Sequence, residues 1–394
     1  SRGASSCGML PTVVLAAHPM VCHPTQVANL PQTRHDELMR RRGPAPIARV
    51  GEVLDAVNQA FAPAVLVEDF PEPAPVDEWA PDVLGHGYEA RTMPLGEDDE
   101  GEVVATLVRY RPEEANPEKP RFAVVYLHGW SDYFLNHELG PWWAAHGGAF
   151  YGLDLRKYGR SLRHGQTPGY IDDLESYDEE IEAALALIAQ EHGELPVVLM
   201  AHSTGGLTAV LWADRNPGRL AGIVLVAPWL ETQGSTVVRS ISAPIVTEVA
   251  KAYPKRITPQ ADLGYYHRTI SSEFDGDWDL VPAWRPPTSF PVRYGWLAAV
   301  LRGHAAVAKG LNVDVPVMVL RSARSLISPL WDEAMKTSDI VIEVDVVAER
   351  ALRVAKSVTV ATVEGALHDV MLSPHPVRDV AYDHLETWAR AYLP

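Results

Sequence analysis

Six short apolar runs constrain the fold of this chain more than any other feature of its sequence. Four precede a long interruption and two follow it, at 122–127, 149–153, 197–201, 222–226, 315–320 and 358–363. Stretches with helical spacing, such as 173–191 and 205–215, separate the runs. A strand without a polar face must be covered on both sides, as the parallel strands of α/β proteins are. The alternation therefore predicts an α/β fold built on a doubly wound, mostly parallel sheet.

The sequence around these runs divides the chain into four predicted parts. An extension with a possible helix at 46–61 and a Pro-rich, acidic connector precedes a predicted hairpin of strands 86–94 and 103–110. The interruption before the last two runs is rich in aromatic residues and proline, which predicts a lid over the strand ends. The parts are the N-terminal extension, the first part of the core, the lid insertion and the second part of the core, at 1–83, 84–228, 229–312 and 313–394.

The composition argues against several classes of partner. The 394 residues carry a formal net charge of −17 and no basic run longer than Arg40–Arg42, so nucleic acid is not an expected partner. No apolar run approaches the roughly 18 residues that span a bilayer. The two cysteines, Cys7 and Cys22, lie too near the start to staple the rest of the chain. Residues 9–17 resemble a signal-peptide core only faintly, because Pro11 interrupts them, and we expect a cytoplasmic protein.

The run VVLMAHSTGGLTAV at 197–210 carries the main chemical signal. It predicts a buried strand, a sharp turn at Ser203 and a helix that begins with small residues, which is the arrangement of a nucleophile elbow. Small residues are needed because the strand and the helix cross closely at such a turn. Ala201 stands where glycine is usual, and Gly205 and Gly206 follow the serine. Ser203 is therefore the predicted nucleophile.

A serine hydroxyl needs a general base within hydrogen-bond reach. Of the 15 histidines, His368 combines a position after the last predicted strand with a glycine-bearing loop, in VATVEGALHDV. In the fold that carries such elbows, the order along the chain is serine, acid, histidine. His368 is therefore the predicted base.

The acid that orients this histidine is harder to assign. No carboxylate follows the strand 315–320 at its first turn. The candidates are Asp332, Asp339, Asp345 and Glu343. Asp339 is preferred because it opens the segment DIVIEVDVVAERAL and lies 29 residues before His368, which leaves room for one helix and one strand. Asp345 is predicted instead to cap a helix at 346–355.

Two backbone amides are predicted to stabilise the oxyanion that develops on a substrate carbonyl. One belongs to Thr204, directly after the nucleophile. The other belongs to Trp130 in the loop LHGWSDYF, where His128 and Gly129 permit a tight turn. The predicted substrate-binding residues lie beside the nucleophile, in this loop or in the insertion: Trp130, His202, Trp229 and Trp296.

Four segments make the chain resemble the α/β-hydrolase superfamily, and within it the serine-aminopeptidase-like and monoacylglycerol-lipase-like (lysophospholipase) group. They are LHGWSDY, DLRKYGRS, AHSTGG and GALHD, at 127–133, 154–161, 201–206 and 365–369. In that group, a turn like DLRKYGRS is structural more than catalytic. The resemblance covers about 84–394 and departs from the usual pattern at Ala201 and in the long insertion before Asp339.

The resemblance implies a serine hydrolase that works by two-step acyl transfer and needs no metal or cofactor. The sequence itself has no HExxH motif, no paired Cys/His spacing and no phosphate-binding glycine loop. We expect an apolar carboxylic ester as substrate, of monoacylglycerol, lysophospholipid or lactone type. One alternative is a non-catalytic ligand-binding protein on the same fold. Another is an amide or peptide hydrolase, in which acidic residues of the insertion would bind a substrate amine: Glu273, Asp275, Asp277 and Asp279.

Overall fold

The computed structural model describes most of the chain that follows the predicted N-terminal helix. The described residues are 70–85, 87–111, 119–232, 236–259 and 262–394. The predicted helix at 46–61, both cysteines and the signal-like run 9–17 lie outside them. A search of the helices in the described ranges finds none whose length and apolar character would let it cross a bilayer.

One nine-stranded sheet runs through the described part of the chain. Its strands are β1 Ala80–Pro81, β2 Tyr88–Asp98, β3 Gly101–Tyr110, β4 Phe122–Leu127, β5 Gly148–Asp154, β6 Val197–His202, β7 Gly222–Val226, β8 Val317–Ser322 and β9 Val358–Val363. They lie in the order β1-β2-β3-β5-β4-β6-β7-β8-β9. Strands β4 to β9 pair in parallel, whereas β1, β2 and β3 are antiparallel. This confirms the predicted doubly wound, mostly parallel sheet.

Helices cover both faces of the sheet. They are α1 Leu139–Ala145, α2 Asp178–His192, α3 Thr204–Arg215, α4 Thr236–Ala252, α5 Tyr265–Ile270, α6 Tyr294–Lys309, α7 Val344–Ala351 and α8 Val377–Tyr392. Short 3-10 helices lie at Gly159–Ser161, Leu174–Tyr177, Glu333–Thr337 and Val370–Leu372. Side chains of α2, α3 and α6 pack in one apolar cluster, and those of α1 and α8 in another on the opposite face.

The apolar runs form strands because both of their faces are removed from water. Every residue of β4 and of β7 is buried. The neighbouring residues Val124 and Val125 belong to the clusters on opposite faces of the sheet. Burying such a side chain contributes roughly 1.5–3 kcal/mol, so a run with no polar position is favourable only in a covered sheet.

The antiparallel hairpin extends further than the sequence predicts. Strands β2 and β3 continue to Asp98 and Gly101, which leaves two residues in the turn. Glu100 accepts hydrogen bonds from Lys157 (2.7 Å) and from Lys255 (2.8 Å), a residue of the segment between β7 and β8. Burial alone would raise the pKa of Glu100, but the two ammonium groups lower it to about 2. The acidic turn therefore binds neighbouring parts of the chain.

The long segment between β7 and β8 holds the helices α4, α5 and α6 and, in its described residues, no strand. Helix α6 is part of the main core, since Trp296 and Val300 belong to the cluster formed with α2 and α3. Helix α5 lies above the carboxyl ends of the parallel strands, where its Tyr266 comes within 5.5 Å of His368, measured between ring centroids.

The DLRKYGRS segment forms a buried ionic network around Arg160. The Asp154 carboxylate accepts from Arg160 Nη1 (2.9 Å), and the Asp82 carboxylate accepts from Arg160 Nε (2.6 Å). The second oxygen of Asp154 accepts from the Phe134 amide at 2.8 Å. The network joins β5 to the loop that follows β4 and to the start of the sheet at β1. This position fits the structural role that the resemblance implies for the motif.

We predict that Arg160→Met lowers the free energy of unfolding by about 3–5 kcal/mol, because it leaves two buried carboxylates without their cation. Lys251→Met is the control, since Lys251 forms an ion pair with Glu248 that is largely exposed to water. An exposed pair is worth less than about 1 kcal/mol. Urea unfolding followed by tryptophan fluorescence measures both. Equal losses for the two variants would contradict the assigned role of the network.

Candidate active site

Ser203 lies in a strained turn between β6 and α3. Its backbone has φ of 51° and ψ of −115°, values that a residue with a side chain rarely adopts. Strain of this kind costs on the order of 1–3 kcal/mol and persists only where the surroundings impose it. The Ser203 amide donates to Val226 O (3.1 Å), and its carbonyl accepts from the Trp229 amide (2.9 Å). Strand, turn and helix follow one another as predicted for an elbow.

Glycines permit the close crossing of chains at this turn. A Cβ atom on Gly205 would lie 2.3 Å from His128 O, so α3 could not approach the end of β4 with a larger residue there. A Cβ atom on Gly129 would lie 3.1 Å from Ser203 Cβ. Ala201, which replaces the usual first glycine, is fully buried within β6. The loop after β4 therefore lies directly against Ser203.

The topology explains why these two loops meet. Strand β4 lies between β5 and β6 in the sheet. After β4 the chain therefore forms β5 on one side of it and then crosses over to form β6 on the other side. The carboxyl ends of strands at such a switch point face a common crevice. The crevice here is formed by the loop that follows β4 and by the turn at Ser203.

Ser203, His368 and Asp339 form a continuous chain of hydrogen bonds. The distance from His368 Nε2 to Ser203 Oγ is 3.1 Å, and that from His368 Nδ1 to Asp339 Oδ2 is 2.8 Å. Asp339 has no exposed surface, and His368 and Ser203 are 2% and 7% exposed. A carboxylate at Nδ1 holds the proton on that nitrogen, which leaves Nε2 able to accept the proton of the serine hydroxyl.

Asp339 reaches this position after the chain has left the sheet. Its second oxygen accepts from the amides of Val341 (2.8 Å) and Ile342 (2.9 Å), so both carboxylate oxygens have hydrogen-bond partners. An isolated parallel bridge joins Asp339 to Ser325, just beyond the end of β8. The bridge returns the chain to the sheet and points the carboxylate at His368.

The other candidate acids lie elsewhere. Asp332 caps the 3-10 helix Glu333–Thr337 by accepting from the Ala334 amide. The prediction that Asp345 caps a helix at 346–355 is wrong, because the helix begins earlier, at Val344, and Glu343 occupies the cap position. The Val344 amide donates to Ser325 Oγ (2.9 Å), which fixes this earlier start. The Asp345 side chain is 85% exposed and accepts from Arg321.

The two residues predicted to supply oxyanion donors, Thr204 and Trp130, lie next to Ser203 in the sequence and next to Gly129, respectively. Thr204 is the first residue of α3, and the first amides of a helix have no carbonyl partner within it. Trp130 follows Gly129, the residue that lies against Ser203. The next residue, Ser131, has φ of 51° and accepts from the Phe290 amide through its hydroxyl (2.9 Å). The loop therefore turns sharply at the point where the Trp130 amide is presented.

A cavity of about 780 Å³ opens above Ser203 and His368. Trp130 and His202, two of the four predicted substrate-binding residues, line it, whereas Trp229 and Trp296 are not part of its lining. Trp296 lies behind Trp130, with ring centroids 3.9 Å apart, and Trp229 stacks on Trp296 at 6.2 Å. Apolar residues make up much of the wall: Ile257, Leu263, Phe290, Pro291, Val292, Leu326, Ile327, Met335, Ile340 and Val341. A larger groove of about 970 Å³ contains none of the predicted site residues.

Polar residues that the sequence analysis did not select also line the cavity. Arg285 Nη1 donates to Asp132 Oδ1 at 2.7 Å, and both side chains are buried. Burial alone would lower the pKa of Arg285, but attraction to Asp132 outweighs it and raises the pKa. Burial lowers the pKa of His202, against the opposing attraction of Asp369, which favours the neutral imidazole. Asp132 lies within the loop motif, whereas Arg285 has no local sequence signal.

The sequence of this chain is similar to that of one protein family and to that of a curated lipase. The model of the serine aminopeptidase (S33) family matches residues 118–374. A monoacylglycerol lipase of Mycolicibacterium smegmatis is 25% identical over 281 residues, which make up 70% of this chain and 90% of that protein.

Two solved structures show the same fold. The crystal structure of a soluble variant of monoglyceride lipase from Saccharomyces cerevisiae, bound to a substrate analog, aligns with a TM-score of 0.54 and 14% identity over 82% of this chain and 98% of that one. A highly thermostable carboxyl esterase from Bacillus coagulans, in complex with glycerol, also aligns with a TM-score of 0.54 and 14% identity, over 77% of this chain and 99% of that one. At this identity the likeness concerns the fold alone.

The family match spans more than half of the chain, and the sheet order and the structural neighbours agree with it. The predicted resemblance is thereby confirmed. This chain has the α/β-hydrolase fold and belongs to the serine aminopeptidase (S33) family.

Proposed function

We propose that this protein is a serine hydrolase that cleaves a carboxylic ester of a lipid-like substrate, of monoacylglycerol, lysophospholipid or lactone type. The observation that carries the proposal is the hydrogen-bonded chain from Ser203 through His368 to Asp339, at the base of a cavity in which apolar residues make up about half of the lining. The relative from M. smegmatis bears the name monoacylglycerol lipase, which supports the substrate class.

In the proposed reaction, Ser203 Oγ attacks the ester carbonyl while its proton passes to His368 Nε2. The amides of Trp130 and Thr204 stabilise the negative charge on the carbonyl oxygen. The tetrahedral intermediate then breaks the bond to the alcohol, which leaves with the proton from His368. A water molecule attacks the acyl-enzyme by the same route and releases the carboxylic acid and free Ser203. Asp339 stabilises the imidazolium that forms in each step.

We also propose that the insertion at 229–312 acts as a lid through the residues that precede α6, since α6 itself is part of the main core. The described residues of this segment supply part of the cavity wall, from Ile257 to Val292. A cavity of this volume is suited to a ligand of drug size that is buried on most sides. The apolar walls favour the acyl chain, and Trp130 is placed to contact it beside Ser203.

The alternative of a peptidase that binds a free amine through the insertion has less support. Asp275 forms ion pairs with Arg268 and Lys336, and Asp277 forms one with Arg378. Asp279 accepts from the Ser272 hydroxyl. Together with Glu273, these residues lie outside the lining of the cavity as far as the structure describes it. An ester substrate without a free amine needs no carboxylate in the cavity to bind one.

We predict that kcat/KM for p-nitrophenyl esters rises by about fourfold per added methylene from acetate to octanoate, because each buried CH₂ contributes about 0.8 kcal/mol. Initial rates at substrate concentrations below micelle formation measure the series. Ser203→Ala is the control and is expected to remove activity across the whole series. A flat series, or faster turnover of aminoacyl anilides, would contradict the proposed substrate class.

We predict that Asp339→Asn lowers kcat by about 10⁴-fold, since the amide no longer holds His368 in the tautomer that accepts the serine proton. Asp345→Asn is the matched control and is expected to leave kcat unchanged, because Asp345 is exposed and bonds only to Arg321 among the described residues. Steady-state kinetics on the octanoate ester compare the two. A large loss in the Asp345 variant in place of the Asp339 variant would show that the acid is misassigned.

A further inference from the structure

Consecutive side chains of the loop after β4 bind one stretch of the insertion. Trp130 Nε1 donates to Phe290 O (3.3 Å), and Ser131 Oγ accepts from the Phe290 amide (2.9 Å). The Tyr133 hydroxyl accepts from the Val281 amide at 3.0 Å. We call residues 130–133 the oxyanion loop. Each contact ties this loop to residues 281–290, so the insertion constrains the loop as well as covering it.

The strongest of these ties is the ion pair between Asp132 and Arg285. The nitrogen–oxygen distance is 2.7 Å, and the two side chains are 4% and 7% exposed. Tyr266 lies on the other side of the guanidinium group, with its ring centroid 5.0 Å from Arg285 Cζ. Among the described residues, Arg285 is the only cation that lies within ion-pair distance of Asp132. A carboxylate buried this deeply is favourable only while its cation is in place.

We propose that Arg285 is a positioning residue that sets the oxyanion loop through Asp132. Asp132 lies two residues after Trp130, so holding its carboxylate fixes the turn that presents the Trp130 amide to the substrate carbonyl. Such donors act only when they are aimed beforehand at the place where charge develops. The inference rests on the proposed function, because it assigns Arg285 a part in stabilising the oxyanion.

A different role for Arg285 would be direct contact with the substrate, since Arg285 and Asp132 both line the cavity. The two roles predict different kinetics. Loss of a substrate contact that is equal in the ground state and transition state raises KM and spares kcat. Loss of positioning lowers kcat and weakens the binding of compounds that imitate the oxyanion, while KM stays nearly constant.

The test compares Arg285→Met with Arg285→Lys on the octanoate ester, and measures inhibition by an alkyl trifluoromethyl ketone, which forms an oxyanion when serine adds to it. For Arg285→Met we expect kcat to fall about 10- to 100-fold, as for an active-site group misplaced by about 1 Å. The inhibition constant of the ketone should rise by the same factor, with KM within about twofold of wild type. Arg285→Lys should recover part of both losses, because it keeps a cation beside Asp132.

Arg156→Met is the control for loss of the cation that pairs with a buried carboxylate. Arg156 binds the fully buried Glu180 at 2.6 Å and lies outside the cavity lining that the structure describes. The Arg156→Met variant should lower the melting temperature, as Arg285→Met does, but should leave kcat unchanged. If Arg285→Met does not fold, the double variant Asp132→Asn with Arg285→Met replaces it. In the double variant no buried carboxylate is left without its cation, which favours folding. The ion pair that holds the oxyanion loop is still absent, so the same fall in kcat is expected.

Two results would overturn the inference: unchanged kinetics in Arg285→Met and in the double variant, or a raised KM with unchanged kcat. Labelling of the wild type by a fluorophosphonate keeps this outcome separate from the proposed function. A labelled wild type with an unaltered Arg285 variant would reject the positioning role alone. An unlabelled wild type would reject the serine hydrolase itself.

Discussion

The close crossing of β6, α3 and the end of β4 is the constraint on which the rest of the site depends. At position 205 this crossing leaves room only for glycine, because a Cβ atom there would lie 2.3 Å from His128 O. It also forces the backbone of Ser203 into a φ of 51°. The same crossing brings Gly129 against Ser203. One packing contact therefore fixes the position of the Ser203 hydroxyl and the position of the loop that carries the Trp130 amide. The surrounding parallel strands, buried on both faces, offset the strain at the turn.

Most of the fold and half of the candidate site could be predicted because their signals are local. A run such as FAVVYL at 122–127 has no polar face, and the structure has a strand with those bounds. Ser203 was predicted from its small neighbours, which are required by a crossing that spans only a few residues of sequence. His368 was predicted from a glycine-bearing loop after the last strand, and Gly365 there has φ of 75°. The structure brings both side chains within 3.1 Å of each other.

The remaining features depend on contacts between distant residues. The segment and spacing of Asp339 favour it as the acid, but no pattern within that segment marks the bridge to Ser325 that returns Asp339 to the end of β8. Helix α7 begins at Val344, two residues before its predicted start at 346, because Ser325 Oγ accepts a hydrogen bond from the Val344 amide. Arg285 lies 153 residues from Asp132 along the chain, so nothing near either residue marks the ion pair. The insertion thus contributes to the site through contacts that only the folded chain reveals.

The central claim is that Ser203 is activated by its hydrogen bond to His368. Reaction with a fluorophosphonate, followed by mass mapping of the modified peptide, tests this most directly, because the reagent modifies serines that have a functioning base and oxyanion donors. We predict that the wild-type protein is modified at Ser203 and that Ser203→Ala and His368→Ala are not modified. An unmodified wild type, or equal modification of the Ser203→Ala variant, would contradict it.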